Sequence, residues 1–157
     1  MKLALSVHSE LPPLELTSVI NVEKALRKVR AFARFVIGNR AEGDELVEDA
    51  LTLYLSTDPD PDQCSESYAY LVRAVQRVLR TSGAVARRPT DLDTMFTPLL
   101  NLPLETREVA ALHLGAGMPA EEIAHLLEIT PAETAAGLGM TRAAMGAEVF
   151  DAYVQTI

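Results

Sequence analysis

Pro119-Ala120-Glu121-Glu122-Ile123-Ala124-His125-Leu126-Leu127-Glu128, followed after Ile129 by Thr130-Pro131-Ala132-Glu133, reads as the body of one helix and the start of another. In the first segment Pro119 stands at a first helical position, and Glu121 and Glu122 lie near the positive helix end. Ile123, Ala124, Leu126 and Leu127 share one side. The second segment opens on T-x-x-E, a capping box in which the Thr and Glu side chains each satisfy the other's backbone amide, with proline in the first turn. Only a tight turn fits between the two. That spacing suits a helix-turn-helix, and it equally suits a helical hairpin in a bundle.

Upstream, Glu105 to Leu114 is a further short helix that buries Val109, Ala110 and Leu112 and breaks at Gly115 and Gly117. Residues 81–103, with Ser82, Gly83, Pro89, Pro98 and Pro103, read as a linker holding one helical turn near Thr94–Leu100. Before it, Tyr68 to Arg80 is a helix that buries Leu71, Val72, Val75, Val78 and Leu79. Thr57 to Ser67 is a solvated loop rich in Asp and Pro. A helix from near Asp44 carries Leu46, Val47, Ala50, Leu51, Tyr54 and Leu55, and one capped by Asn21 carries Val22 to Val36 and stops at Gly38 and Asn39. Pro12 and Pro13 mark residues 1–20 as a loose arm. The expected architecture is all-α: an arm and three-helix unit over 1–80, a linker over 81–103, and a helix-turn-helix unit over 104–157.

Composition agrees. Aromatics make up 5% of the 157 residues and Trp is absent, which disfavours sheet, while 48% hydrophobic and 23% charged content suits a folded globule. A lone cysteine, Cys64, excludes an internal disulfide and fits a reducing, cytoplasmic setting. No run approaches the ~18 apolar residues of a membrane span. The net charge of −8 is unevenly spread. Residues 1–56 hold seven basic and eight acidic residues, residues 57–104 five and six, and residues 105–157 only Arg107 and Arg142 against eight acids. The half that has the pattern of a DNA reader is the most acidic.

Both halves resemble the extracytoplasmic-function class of sigma factors, in order and in spacing. Gly43-Asp44-Glu45-Leu46-Val47-Glu48-Asp49-Ala50-Leu51 is similar to the family's A-E-D-L-V-Q-E-A-L segment in region 2, which docks on the polymerase clamp. Leu102-Pro103-Leu104-Glu105-Thr106-Arg107-Glu108-Val109 resembles the L-P-x-x-x-R-E-V opening of region 4. Glu121 to Thr130 resembles its x-E-I-A-x-x-L-G-I-S turn. The resemblance spans about residues 22–146 and implies that Asp44, Glu45, Leu46, Glu48, Asp49, Val109 and Leu127 contact a protein partner.

The final helix departs from the family. Where sigma factors place basic residues for phosphates and base edges, this chain has Ala135, Gly137 and Met140, and only Arg142 stays basic. DNA affinity rests on neutralising several phosphates, and sequence readout on polar donors at the groove floor. In the preceding half Asp58, Asp60, Asp62 and Glu66 would repel a melted strand, with Tyr68 and Tyr70 lacking a basic track beside them. Blunted DNA surfaces on a sigma-like chain resemble the sigma-factor-like domain of PhyR-type stress-response regulators, which sequesters a NepR-type anti-sigma factor. No receiver-like segment follows Met145, so phosphorylation control is not carried over.

The expected function is a sigma-factor mimic that sequesters an anti-sigma factor in a stress response, with weak or no DNA binding. The alternative is a divergent sigma factor that binds core RNA polymerase and promoter DNA; a purely structural helical module ranks third. The stripe Lys24, Arg27, Lys28, Arg30, Arg34 reads first as a solvated helix face and second as a contact for an acidic partner. His113 and His125 lack metal-ligand partners at useful spacing, and no nucleophile elbow or phosphate loop is present. No catalytic residue, metal or cofactor is therefore expected.

Overall fold

The first helix, α1 (Pro13–Ile37), starts at a proline. Pro13, expected together with Pro12 to prevent early helix, opens one instead, because a proline in the first turn gives up only an amide that has no intrahelical partner. Asn21, expected to cap this helix, consequently lies inside α1 and not at its start. The computed structural model describes residues 13–56, 67–82 and 87–157. His8, Cys64 and the acidic loop with Asp58, Asp60, Asp62 and Glu66 lie outside the described residues.

At the end of α1, Gly38 adopts φ 83°, a conformation glycine takes without strain. Asn39, expected as part of the stop, instead caps the next helix: its Oδ1 accepts the Glu42 amide at 3.1 Å. That helix, α2 (Arg40–Ser56), thus begins four residues before Asp44. Val47 and Ala50 face the core, Leu46, Leu51 and Tyr54 pack at its margin, and Leu55 is exposed. α3 (Ser67–Ser82) buries Leu71, Val72, Val75 and Leu79 at the expected spacing, with Val78 partly covered. α1, α2 and α3 pack mutually around Val29, Phe32, Ala33 and Val36.

Residues 87–93 then cross the start of α2 and lead into a 3₁₀ helix, Thr94–Asn101, where one helical turn was expected. Asp93 caps it and Leu99 anchors it. α4 (Leu104–Ala110) runs into a π turn, Ala111–Gly115, and both are almost wholly buried on their inner side. α5 (Ala120–Leu127), α6 (Pro131–Met145) and α7 (Ala147–Val154) complete the chain. The fold is all-α; among the described residues there is no strand.

One buried cluster runs through both halves, from Val29 and Leu79 to Leu112, Ile123 and Phe150. Phe96 of the 3₁₀ helix links them, its ring 5.1 Å from Phe35 of α1 and 5.2 Å from Tyr153 of α7. The Tyr153 hydroxyl donates to the Leu114 carbonyl at 3.1 Å. Arg107 reaches across from α4 and donates through Nη1 to the Val36 carbonyl at 3.0 Å, satisfying an orphan acceptor at the C-terminal end of α1. Glu108 beside it accepts from Gln76 of α3 at 3.0 Å and pairs with Arg80 at 3.4 Å.

Candidate interaction faces

The turn between α5 and α6 is built by its end residues. Glu128 closes α5 in the left-handed region, φ 57°, the one non-glycine residue with positive φ among those described. Such a position favours glycine, which the sigma-factor pattern has there. An ion pair to Arg73 of α3, at 3.1 Å, ties the Glu128 carboxylate down. Thr130 then caps α6. Its Oγ1 accepts the Glu133 amide at 3.1 Å, and the Glu133 carboxylate accepts the Thr130 amide at 2.7 Å. That amide, joined by the Thr130 hydroxyl donating at 2.9 Å, holds the Glu133 carboxyl below its usual range. The capping box read from the sequence is formed.

α6 buries Thr134, Gly137, Thr141 and Met145. The two threonines satisfy their hydroxyls on carbonyls one turn back, those of Thr130 at 3.1 Å and Gly137 at 2.8 Å. A Cβ at Gly137 would touch Val109 at 3.4 Å. Gly137 is therefore an inward packing position, and it cannot belong to a DNA-facing surface as the motif alignment implied. Val109 is buried beneath it, so it is no exposed partner contact either. Outward stand Ala135, Gly139, Met140 and Arg142. Arg142 forms a two-point pair with Asp151 of α7, at 2.9 and 2.7 Å, which raises the guanidinium pKa and lowers that of the carboxyl.

On α2 the expected acids are exposed or half-exposed, and several are engaged. Asp44 accepts two bonds from Arg34 of α1, at 2.9 and 2.7 Å, and this hydrogen bonding lowers its pKa. Glu45 pairs with Arg88 at 2.9 Å and Arg87 at 3.6 Å. Glu48 and Asp49 face solvent and Leu46 is partly covered. Of the basic stripe on α1, Lys24, Arg27, Lys28 and Arg30 are exposed, Arg27 pairing with Glu23. Leu127 is partly covered on α5. The helices carrying Val109 and Leu127 pack chiefly on α6 and the π turn, whereas α2 packs on α1 and α3, so the expected partner residues do not form one surface.

A cleft of about 540 Å³ that the sequence did not disclose opens between α3 and α5. Tyr68, Met118 and Leu126 give it apolar walls, while Glu121, Glu122 and Arg73 line its polar side. The Tyr68 hydroxyl is buried without a hydrogen-bond partner among the described residues, and burial pushes its pKa up to about 12. Lys28 sits 5.7 Å from the centre of its ring.

The described residues hold no cluster of three metal-ligating side chains, and none of their helices is long and apolar enough to cross a membrane. His113 donates through its Nδ1–H to the Met118 carbonyl at 3.0 Å and stacks near Phe150, a packing role. Comparison with family models, with curated proteins and with solved structures finds no match.

Proposed function

We propose that this chain is a sigma-factor mimic, which regulates transcription by binding a protein, an anti-sigma factor, and not by reading DNA. The observation that carries the reading is the outer face of α6. Its only cation, Arg142, is paired with Asp151, and the residues beside it are Ala135, Gly139 and Met140. Glu121 and Glu122 stand on the neighbouring helix. A polyanion gains little counterion release there. The ordered sigma-like motifs and the cleft between α3 and α5 support protein binding in place of that lost readout.

The test is titration of the purified chain against a fluorescent promoter duplex at low ionic strength. No binding is expected, whereas ordinary non-specific binders reach about 10⁻⁴–10⁻⁶ M at physiological salt and tighten as salt falls. Lys at 135 and 140, with Asp151→Ala to release Arg142, should create salt-sensitive binding. Position 137 is excluded because it faces Val109. Sequence-specific micromolar binding by the unaltered chain, or promoter-dependent transcription with core polymerase, overturns the mimic and leaves a divergent sigma factor.

A further inference from the structure

Residues 87–91, Arg87-Arg88-Pro89-Thr90-Asp91, lie across the first turns of α2, and every one of them is exposed. They bury no apolar side chain there; polar contacts hold them. Glu42, only 5% exposed, accepts the Arg87 amide at 3.0 Å on one carboxylate oxygen and the Arg88 amide at 2.7 Å on the other. Asn39 donates to the Pro89 carbonyl at 2.8 Å. Asp91 accepts the Arg40 amide at 2.9 Å, and its own amide donates to the Gly38 carbonyl at 3.2 Å. Both arginine side chains fold back onto Glu45. The next anchor in a buried apolar side chain is Leu99, in the 3₁₀ helix.

We propose that residues 87–91 are a displaceable strap, seated on α2 in the place that an arginine-bearing segment of a protein partner takes when the strap lifts. The start of α2 reads such a segment in two ways. Glu42 and Asn39 engage its backbone, independent of side chain, and Glu45 selects for guanidinium groups, the usual division between affinity and specificity in peptide recognition. A segment held without apolar burial opens locally at a small fraction of the global stability. Once it lifts, the Glu42 carboxylate loses both amide donors, and another chain's amides can replace them. Release and capture are therefore one exchange. The strap competes from within the chain at an effective concentration of about millimolar, so a partner gains whenever the strap's own hold weakens. It stands whether or not the partner is an anti-sigma factor.

Two measurements on the full chain test it. In hydrogen exchange, with no partner present, the amides of Arg87 and Arg88 should show protection factors far below those of Val72 and Val75 in α3. Arg87→Ala/Arg88→Ala, which touches only exposed side chains, should lower them by about threefold or more, the scale that two exposed ion pairs supply. Strap amides as protected as the α3 core overturn the proposal. In the second measurement a fluorescein-labelled peptide with the sequence of residues 86–92 serves as the probe, read by anisotropy. It should bind the double variant at least about threefold tighter than the unaltered chain, and Glu45→Gln in that background should cancel the gain. Equal behaviour of the two chains, including no binding by either, overturns it.

Discussion

Glu108 is a carboxyl held in an unfavourable place. It is 2% exposed, its Oε1 has no hydrogen-bond partner among the described residues, and burial drives its pKa up against the opposing pull of Gln76 and Arg80. Glu105 on the same helix adds to the rise. A carboxyl whose folded pKa is raised takes up a proton on folding, so its favourable contribution is present at acid pH and lost as pH rises through the folded value. Glu108→Gln, which keeps an acceptor for Gln76 without the buried charge, should leave stability less pH-dependent, and its advantage over the unaltered chain should grow from acid toward neutral pH. Denaturant midpoints measured across that window check it; an advantage that shrinks as pH rises contradicts the assignment. Thr130→Ala removes the acceptor that opens α6 and should lower stability by about 1 kcal/mol in the same assay. The capping box was legible in the sequence because its partners lie three residues apart. Glu108 was not, because its partners lie 28 and 32 residues away on α3 and no local pattern points to them.

At the scale of elements, two glycines should respond with opposite signs. A Cβ at Gly43 would lie 2.5 Å from the Cα of Arg34, so α1 and α2 meet backbone to backbone there. Gly43→Ala has no flexible side chain to push aside and should destabilise by about 1–3 kcal/mol. Gly139, in the middle of α6, has nothing within 4 Å of a built Cβ, and Gly139→Ala should stabilise by roughly 0.5–1 kcal/mol through helix propensity alone. Chemical denaturation of the two variants side by side is the measurement, and a Gly43→Ala chain as stable as the parent removes the close crossing. The same distinction explains what the sequence hid. Periodicity located α3 because Leu71, Val72, Val75 and Leu79 are apolar, but the inner stripe of α6 is Thr134, Gly137, Thr141 and Met145, mostly residues that do not announce burial. Matching α6 to a motif therefore put Gly137 on the wrong face. α7 went unread because it is eight residues long and its start at Gly146 offers no capping side chain. Residues 87–93 read as linker from their Pro content and polarity, and what fixes them is Glu42 on a distant helix.

Across the whole molecule, the two halves of the chain are joined by contacts of every kind. The Phe35–Phe96–Tyr153 ring series, the Arg107 bond to the end of α1, Glu108 against α3, and Arg73 against Glu128 all cross between them. The buried cluster itself is continuous. Halves of this size each bury a modest fraction of their surface, and they stay marginal unless the shared core holds them together. The chain should consequently unfold in one cooperative step. For 157 residues at roughly 0.7 kcal/mol per residue, the calorimetric enthalpy near 60 °C should be on the order of 100 kcal/mol, and the van't Hoff enthalpy should equal it. Two independent halves would give a van't Hoff value near half the calorimetric one, or two resolved peaks. Phe35→Ala discriminates further, because Phe35 belongs to α1 yet touches Phe96 at the junction. Its removal should cost about 3–5 kcal/mol and lower the transition of α6 amides together with those of α3. If α3 amides lose protection while α6 amides keep theirs, the common core does not couple the halves.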